Sequence, residues 1–226
     1  GEVVTIPGHP RPHAPIVSVA AVADGRVITC SLDAAITGRS SVQVWRDGML
    51  EQGIPGTKGH AMAVLPGERI VTAGDPTNTM LRLWTLDGTL ERRSNVHRFE
   101  VGSATYWCVA ALPDSMHFVV GLGYGDNAGE VRLYHVDGTL VHTFEGQYDE
   151  DGDETWIPDA NGGHFDEVEA VAVTPDGQHI ISGSDDKRVQ VWSVASKSLV
   201  STCIGHTSLV VSVAAMPDGQ RILRGS

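Results

Sequence analysis

Three side chains that hydrolases combine in catalysis lie within one short segment: His164, Ser182 and Asp186. A serine that loses its proton to a histidine, itself oriented by a carboxylate, can attack an acyl carbon. In α/β-hydrolases such a serine stands on a G-x-S-x-G elbow, and this sequence has none. The sequence therefore favours a structural role for the trio over catalysis.

Metal chemistry has little support in the pattern of possible ligands. The chain has 10 histidines and 3 cysteines, but no HExxH, HxH or CxxC spacing that would cluster them. The run DEDGDE at 149–154 offers several carboxylates for Ca²⁺, yet the twelve-residue loop with a terminal glutamate is absent. We predict no metal and no cofactor, with a solvated acidic insertion or a partner-docking loop as the alternatives to calcium for this run.

The elements that must position these residues come in a repeat. Five times an alternating apolar segment runs into a Pro-Asp-Gly-like turn and a second apolar segment, as in EAVAVTPDGQHIISGS at 169–184. Pro175 and Pro217 lie 42 residues apart, as do His164 and His206. That period fits four short strands, here called a to d, and helical spacing is nowhere sustained. In four units strand c ends in an aromatic residue: Trp45, Trp84, Tyr134 and Trp192.

These residues resemble the WD-repeat family of β-propellers, most closely from Gly163-His164 to Trp192. The resemblance implies a buried hydrogen-bond network that links His164, Ser182, Asp186 and Trp192. Such a set can satisfy both imidazole nitrogens, the hydroxyl and the indole N–H. The third unit departs from the pattern, since Val120 and Tyr134 replace the serine and the tryptophan. By the same resemblance, we assign to the blade networks His206, Thr29, Asp33, Trp45 and Trp84.

The expected fold is an all-β propeller of four-stranded antiparallel blades, with four full blades and a partial fifth in one domain over 1–226. The units are expected at about 9–54, 55–95, 96–145, 163–204 and 205–226, with an outer strand of a closing blade at 1–8 and an acidic insertion at 146–162. Because the last unit supplies two strands, we expect a piece of a longer propeller. The alternatives are that a second copy or a partner supplies the missing blades, or that a compact five-bladed ring forms with a defective last blade.

In the family, the d–a and b–c loops share one rim and commonly form the binding face. We therefore predict a non-catalytic protein–protein interaction scaffold. The alternatives are a regulatory or sensor module of a larger protein, and a propeller enzyme or small-ligand or calcium site. Candidate partner-binding residues on the rim and in the acidic insertion are Tyr106, Tyr124, Tyr148, Trp156, Phe165, Glu167 and Arg39.

Charge narrows the class of partner. The net charge is −12, and 10 of the 28 acidic residues lie at 145–169, a stretch without Lys or Arg. A basic partner surface would complement this loop, whereas the chain lacks the basic stripe that nucleic-acid binding needs. The apolar runs are of strand length, so no membrane segment is expected. An odd number of scattered cysteines favours a reducing, intracellular compartment, cytoplasmic or nuclear.

Overall fold

The computed structural model describes residues 15–22, 24–31, 42–54, 61–73, 80–95, 105–124, 128–144 and 163–226. Every regular element among them is a β-strand, joined to its neighbours by tight turns. Within these ranges the chain forms no helix that has the length and apolar character needed to cross a membrane. The expected all-β class is confirmed.

Strands consecutive in the chain pair antiparallel and form five sheets, numbered here in chain order. Sheets 1 to 4 each have four strands and sheet 5 has two, as the repeat predicts. Sheet 1 comprises β1 (Ile16–Ala21), β2 (Val27–Ser31), β3 (Val42–Arg46) and β4 (Met49–Ile54). Sheet 2 comprises β5 (Ala61–Leu65), β6 (Arg69–Ala73), β7 (Met80–Thr85) and β8 (Leu90–Asn95). Sheet 3 comprises β9 (Thr105–Ala111), β10 (His117–Tyr124), β11 (Ala128–His135) and β12 (Leu140–Phe144). Sheet 4 comprises β13 (Val168–Val173), β14 (His179–Ser184), β15 (Val189–Ser193) and β16 (Ser198–Cys203), and sheet 5 comprises β17 (Ser212–Ala215) and β18 (Ile222–Gly225).

The turns follow from the residues that occupy them. Asp47 and Gly48 both have positive φ, 50° and 78°, between β3 and β4. A two-residue hairpin with this backbone matches the right-handed twist of its strands, and Asp-Gly is among its preferred sequences. The Pro-Asp-Gly turn of sheet 4 likewise places Gly177 at φ 71°. Local sequence thus determines where each strand ends.

The chain divides into two compact units, residues 1–97 and 98–226. In the first unit, sheets 1 and 2 share an apolar core that includes Ile28, Val44, Ile70 and Trp84. The second unit has two cores. One lies between sheets 3 and 4 and the other between sheets 4 and 5. In each unit the strands therefore pack face to face as stacked sheets.

Sheet 5 has fewer strands than the other sheets and leaves apolar side chains exposed. Val211 and Leu223 are 56% and 57% exposed, whereas Val210 beside them is buried against sheet 4. The outer strand of this sheet, β18, pairs with β17 on one side. The predicted partial fifth blade is therefore confirmed as a two-stranded sheet.

Candidate functional site

The loop that leads into sheet 4 is anchored by a buried polar network. His164 Nδ1 lies 2.8 Å from Asp186 Oδ2, and His164 Nε2 lies 2.8 Å from Ser182 Oγ. Trp192 Nε1 donates to the same Ser182 Oγ at 2.9 Å. One tautomer satisfies every atom: Nδ1 donates to the carboxylate and the hydroxyl donates to Nε2. The network therefore connects the incoming loop with strands β14 and β15.

This arrangement has the connectivity of a Ser-His-Asp triad but not its accessibility. Ser182 is 0% exposed, and the side chains of His164 and Asp186 are 0% and 3% exposed. A nucleophile must approach a substrate within bonding reach, whereas Ser182 is enclosed and its oxygen already accepts the indole N–H. The geometry stabilises the sheet and offers no route for acyl transfer in this state.

Asp186 also ties two loops together. Its carboxylate accepts from the backbone N–H of Arg188 at 2.9 Å and of Phe165 at 3.3 Å. Burial opposes ionisation of Asp186, but the hydrogen bond from His164 and these two N–H donors outweigh it and lower its pKa. The ionised carboxylate is thus the form that the fold favours, and it fixes the loop at 163–167 against the β14–β15 turn.

Three carboxylates converge on the outer side of this anchored loop. Glu167, Glu169 and Asp185 each offer an oxygen within 4.8 Å of the others. Glu167 and Glu169 share one face because they are two residues apart in extended chain, and the backbone N–H of Asp185 donates to the Glu167 carbonyl at 3.0 Å. Partial burial, followed by repulsion from neighbouring carboxylates, raises the pKa of all three groups. We name Phe165, Glu167, Glu169, Asp185 and Arg188 the sheet 4 rim.

Phe165 adds an aromatic ring to the sheet 4 rim. The guanidinium carbon of Arg188 lies 4.6 Å from the centre of this ring, which is within the range of a cation–π contact. Both residues are half-buried. The residues of the sheet 4 rim are therefore one aromatic–guanidinium pair and three carboxylates.

Glycines in sheet 3 leave the space that the loop of the sheet 4 rim occupies. A Cβ on Gly129 would lie 1.9 Å from the Asp166 carbonyl oxygen, and one on Gly123 would lie 2.5 Å from Glu167 Cγ. Real Cβ atoms do not approach other atoms so closely, so both positions require glycine for the loop to lie where it does. Gly129 also donates its backbone N–H to the His164 carbonyl at 3.5 Å.

Cys108 of β9 lies in the same seam between sheets 3 and 4. Its Sγ donates to the carbonyl of Val168 at 3.3 Å, and burial raises the pKa of the thiol. A thiol in this state is neutral and a poor nucleophile. Cys108, Cys30 and Cys203 form no disulfide bond.

The other residues assigned to blade networks have simpler surroundings. Trp45 Nε1 donates to Thr29 Oγ1 at 2.9 Å, and Trp84 Nε1 donates to Thr72 Oγ1 at 3.1 Å. Nε2 of His206 is buried without a hydrogen-bond partner in the described part of the chain. Asp33 lies outside the described residues.

Four of the seven predicted partner-binding residues lie in the described part of the chain. Phe165 and Glu167 lie together on the sheet 4 rim, in the loop just before β13 rather than in the strand itself. Tyr124 was expected in a b–c loop but is the last residue of β10, paired with Ala128, because β10 and β11 extend further than the other b and c strands. Tyr106 lies in β9. Arg39, Tyr148 and Trp156 lie outside the described residues, as do the outer strand expected at 1–8 and the acidic insertion at 146–162.

Sequence reasoning missed four residues that the geometry brings forward: Thr72, Glu169, Asp185 and Arg188. Thr72 could have been found from strand pairing. It lies on strand b, two residues after the residue that pairs with Trp84, and Thr29 has the same relation to Trp45. The alternation of Glu167 and Glu169 was a signal for one shared face. Nothing local in the sequence signals the approach of Asp185 to them, because it depends on the register of β13 against β14.

Comparison with known proteins places this site within a recognised repeat. Residues 160–193 match the WD domain, G-beta repeat family (WD40). A stretch of 40 residues is 48% identical to proteins named Ribosome biogenesis protein BOP1 homolog in Drosophila grimshawi and Drosophila ananassae, and 45% identical to the protein of that name in Drosophila melanogaster. The stretch is 18% of this chain and 5% of the length of each relative. The resemblance of the fourth unit to a WD repeat is thus confirmed.

Proposed function

We propose that the chain is a non-catalytic protein-interaction scaffold, and that the sheet 4 rim binds a basic segment of a protein partner. The observation that carries the proposal is the anchoring of charged loop residues on a WD40 repeat by a buried network. Residues held rigidly before binding lose little conformational freedom on binding. A loop fixed in this way is suited to present side chains to a partner.

The charge of the rim supports a basic partner. Partial burial, and after it repulsion from neighbouring carboxylates, disfavours the ionised forms of Glu167, Glu169 and Asp185 and raises their pKa values. A lysine or arginine of a partner would offset the cost of these partly buried negative charges and gain from three carboxylates at once. Phe165 would contact the apolar part of the same side chain. We further propose that the acidic residues at 145–162, with Tyr148 and Trp156 among them, contribute to recognition of the same basic partner.

The inaccessible trio supports a scaffold over an enzyme. Ser182 has the partners of a nucleophile but is enclosed in the sheet. In the described residues, the only group of three or more possible metal ligands is the cluster of rim carboxylates. Raised pKa values of this kind are equally expected for a surface that binds a cationic side chain.

The test is an affinity purification with cross-linking, followed by titration of the partner that is identified. Replacing the three rim carboxylates together (E167Q, E169Q and D185N) should weaken binding of that partner by about tenfold and flatten its salt dependence. A synthetic arginine-rich peptide, titrated by fluorescence anisotropy, provides a probe that does not depend on the partner's identity.

A charge-matched control separates the rim from general electrostatics. The variant E51Q/E68Q/E91Q changes the net charge of the chain by the same three units but alters exposed residues of sheets 1 and 2. It should bind as the unchanged protein does. Equal weakening by the two triple variants would show that the overall charge, and not the rim, attracts the partner.

A second candidate function is a regulatory or sensor module within a larger protein. It is favoured by the size of the relatives, since a 40-residue match is 5% of their length. The names of these relatives concern ribosome biogenesis, so an intracellular role in assembling large complexes is the setting we propose for either function. Expression of the full gene product, and comparison of its bound partners with those of this chain, tests this candidate.

A further inference from the structure

One arginine spans the two turns that join the first and second strands of sheets 1 and 2. Arg26, in the β1–β2 turn, donates from Nη2 to Glu68 Oε1 in the β5–β6 turn at 2.7 Å. Its Nε lies 2.6 Å from Asp24 Oδ2 in its own turn. The Arg26 side chain is 14% exposed. A guanidinium of the chain itself therefore occupies the space between the carboxylates of two neighbouring turns.

The β17–β18 turn of sheet 5 also holds a guanidinium. Arg221 donates from Nε at 3.0 Å and from Nη2 at 2.8 Å to Asp218 Oδ2. Arg26 and Arg221 occupy equivalent positions in their sheets. Each directly precedes the residue that pairs with the last residue of the strand before the turn. The repeat thus combines a turn carboxylate with an arginine at this position in two of its sheets.

Sheets 3 and 4 have histidine at the equivalent position. His117 precedes the partner of the last residue of β9, and His179 precedes the partner of the last residue of β13. His117 Nδ1 lies 2.6 Å from Asp114 Oδ2 of its own turn. In the described part of the chain, no lysine or arginine forms an ion pair with Asp114 or with Asp176 of the next turn. These two turns therefore have the carboxylates without the guanidinium.

A cavity of about 350 Å³ lies between the β9–β10 turn of sheet 3 and the β13–β14 turn of sheet 4. It is lined by Leu112, Pro113, Asp114, Pro175, Asp176 and Gly177. The two turns touch beside it, since a Cβ on Gly177 would lie 2.9 Å from Pro113 Cγ. Asp176 Oδ1 accepts from Thr174 Oγ1 and from the backbone N–H of Gln178. Its Oδ2 has no hydrogen-bond partner among the described residues, so one carboxylate oxygen beside the cavity is available to a ligand.

We propose that this cavity binds the arginine side chain of a protein partner, with Asp114 and Asp176 as acceptors for the guanidinium. A guanidinium donates to carboxylates through a planar fork of N–H groups, and the methylene stem of arginine packs on apolar surface such as the two proline rings. Arg26 makes the corresponding arrangement between sheets 1 and 2. This surface is separate from the sheet 4 rim, and the proposal does not depend on the function proposed for the rim.

The experiment is a titration of the isotope-labelled chain with N-acetyl-L-arginine amide, followed by amide NMR spectra. The amides of Asp176 and Gly177 should shift until the site is saturated. The amide of Gly219 should stay in place, because Asp218 in that turn already holds Arg221. N-acetyl-L-lysine amide should bind more weakly, since an ammonium lacks the planar fork. Free L-arginine should also bind more weakly than the capped form, because its own carboxylate is repelled by the two aspartates.

Two variants test the acceptors and the internal comparison. D176N should weaken binding of the capped arginine by about tenfold, because a charge-assisted acceptor is lost. The asparagine oxygen can still accept from the Gln178 N–H, so the turn is preserved. H117R places an arginine where sheet 1 has Arg26, and it should fill the cavity and abolish the shift at Gly177. H142R adds the same charge on β12 and should leave binding unchanged.

The proposal is overturned if the capped arginine causes no saturable shift at Gly177, or if Gly219 shifts equally. It is equally overturned if H117R binds the capped arginine as the unchanged chain does. Unchanged binding by D176N would refute the role of Asp176. Tighter binding of free L-arginine would show that the site takes the amino acid and not a partner's side chain. The E167Q/E169Q/D185N variant should keep the shift at Gly177, so failure of this site and failure of the rim are distinguishable.

Discussion

Sheets 3 and 4 follow the same four-stranded plan but hold their middle strands together by different means. In sheet 4, Ser182 and Trp192 are joined by a hydrogen bond that continues through His164 to Asp186. In sheet 3 the position of Ser182 is taken by Val120, which is 0% exposed. There the Tyr134 ring stacks on Phe118 at 5.6 Å between centres.

This difference explains how the loop next to sheet 4 is held in position. Apolar packing is not directional, so it stabilises sheet 3 but does not determine the conformation of its loops. Hydrogen bonds have direction, and in sheet 4 they extend beyond the strands to the loop at 163–167. The polar network thus determines where the candidate binding residues lie, and the glycines of sheet 3 leave room for them.

The largest expected change in stability comes from removing the carboxylate of the polar network. D186A should lower the free energy of unfolding by about 3 kcal/mol, because it leaves His164 buried without its partner. Chemical denaturation measures the change. Asp186 has a lowered pKa, so its contribution is present above the ordinary carboxyl pKa and is lost as pH falls through the folded value. The cost of D186A should therefore shrink in acid.

The adjacent residue provides the control for that variant. The pKa of Asp185 is raised, mainly by partial burial and then by repulsion from Asp166 and Asp186. Its ionised form therefore costs stability at neutral pH, and D185A should be neutral or slightly stabilising. Equal losses in D185A and D186A would contradict the distinction between rim and network.

A smaller effect is expected when sheet 3 gains one methyl group at the seam. The Cβ of G129A would meet the Asp166 carbonyl, so the loop or β11 must move. We expect a loss of about 2 kcal/mol in the free energy of unfolding, measured by denaturation, as for other overpacked sites. Binding at the sheet 4 rim should weaken as well.

The matched control for this substitution is G225A on β18. There a Cβ would lie 3.7 Å from Ser212 Cβ, an ordinary contact. It should change stability much less than G129A. If the two glycine variants behave alike, the space at Gly129 is not what allows the loop to lie against sheet 3.

The smallest effect concerns the rim itself. E169Q should raise the free energy of unfolding by about 0.5 kcal/mol at pH 7, because it removes repulsion within a partly exposed cluster. The raised pKa of Glu169 means that the ionised carboxylate costs stability as pH rises through the folded value. The gain should therefore vanish near pH 4, where the glutamate is protonated. Thermal melts at the two pH values measure it.

The sequence was sufficient for the repeat because each strand and turn is specified locally. Pro175, Gly177 and the apolar alternation around them mark one strand pair, and the spacing from His164 to Trp192 marks the network. Contacts that depend on register could not be predicted in this way. Examples are the approach of Asp185 to Glu167, the pairing of His117 with His135, and the closeness of Gly129 to the next sheet.

The position of Cys108 gives the protein a built-in reporter of local opening. Its thiol faces the Val168 carbonyl in the seam, and its raised pKa keeps it unreactive while the seam is closed. Modification by a disulfide reagent should therefore become faster when sheets 3 and 4 separate at this point. The rate of labelling would report this opening, and a partner bound at the proposed site should slow it.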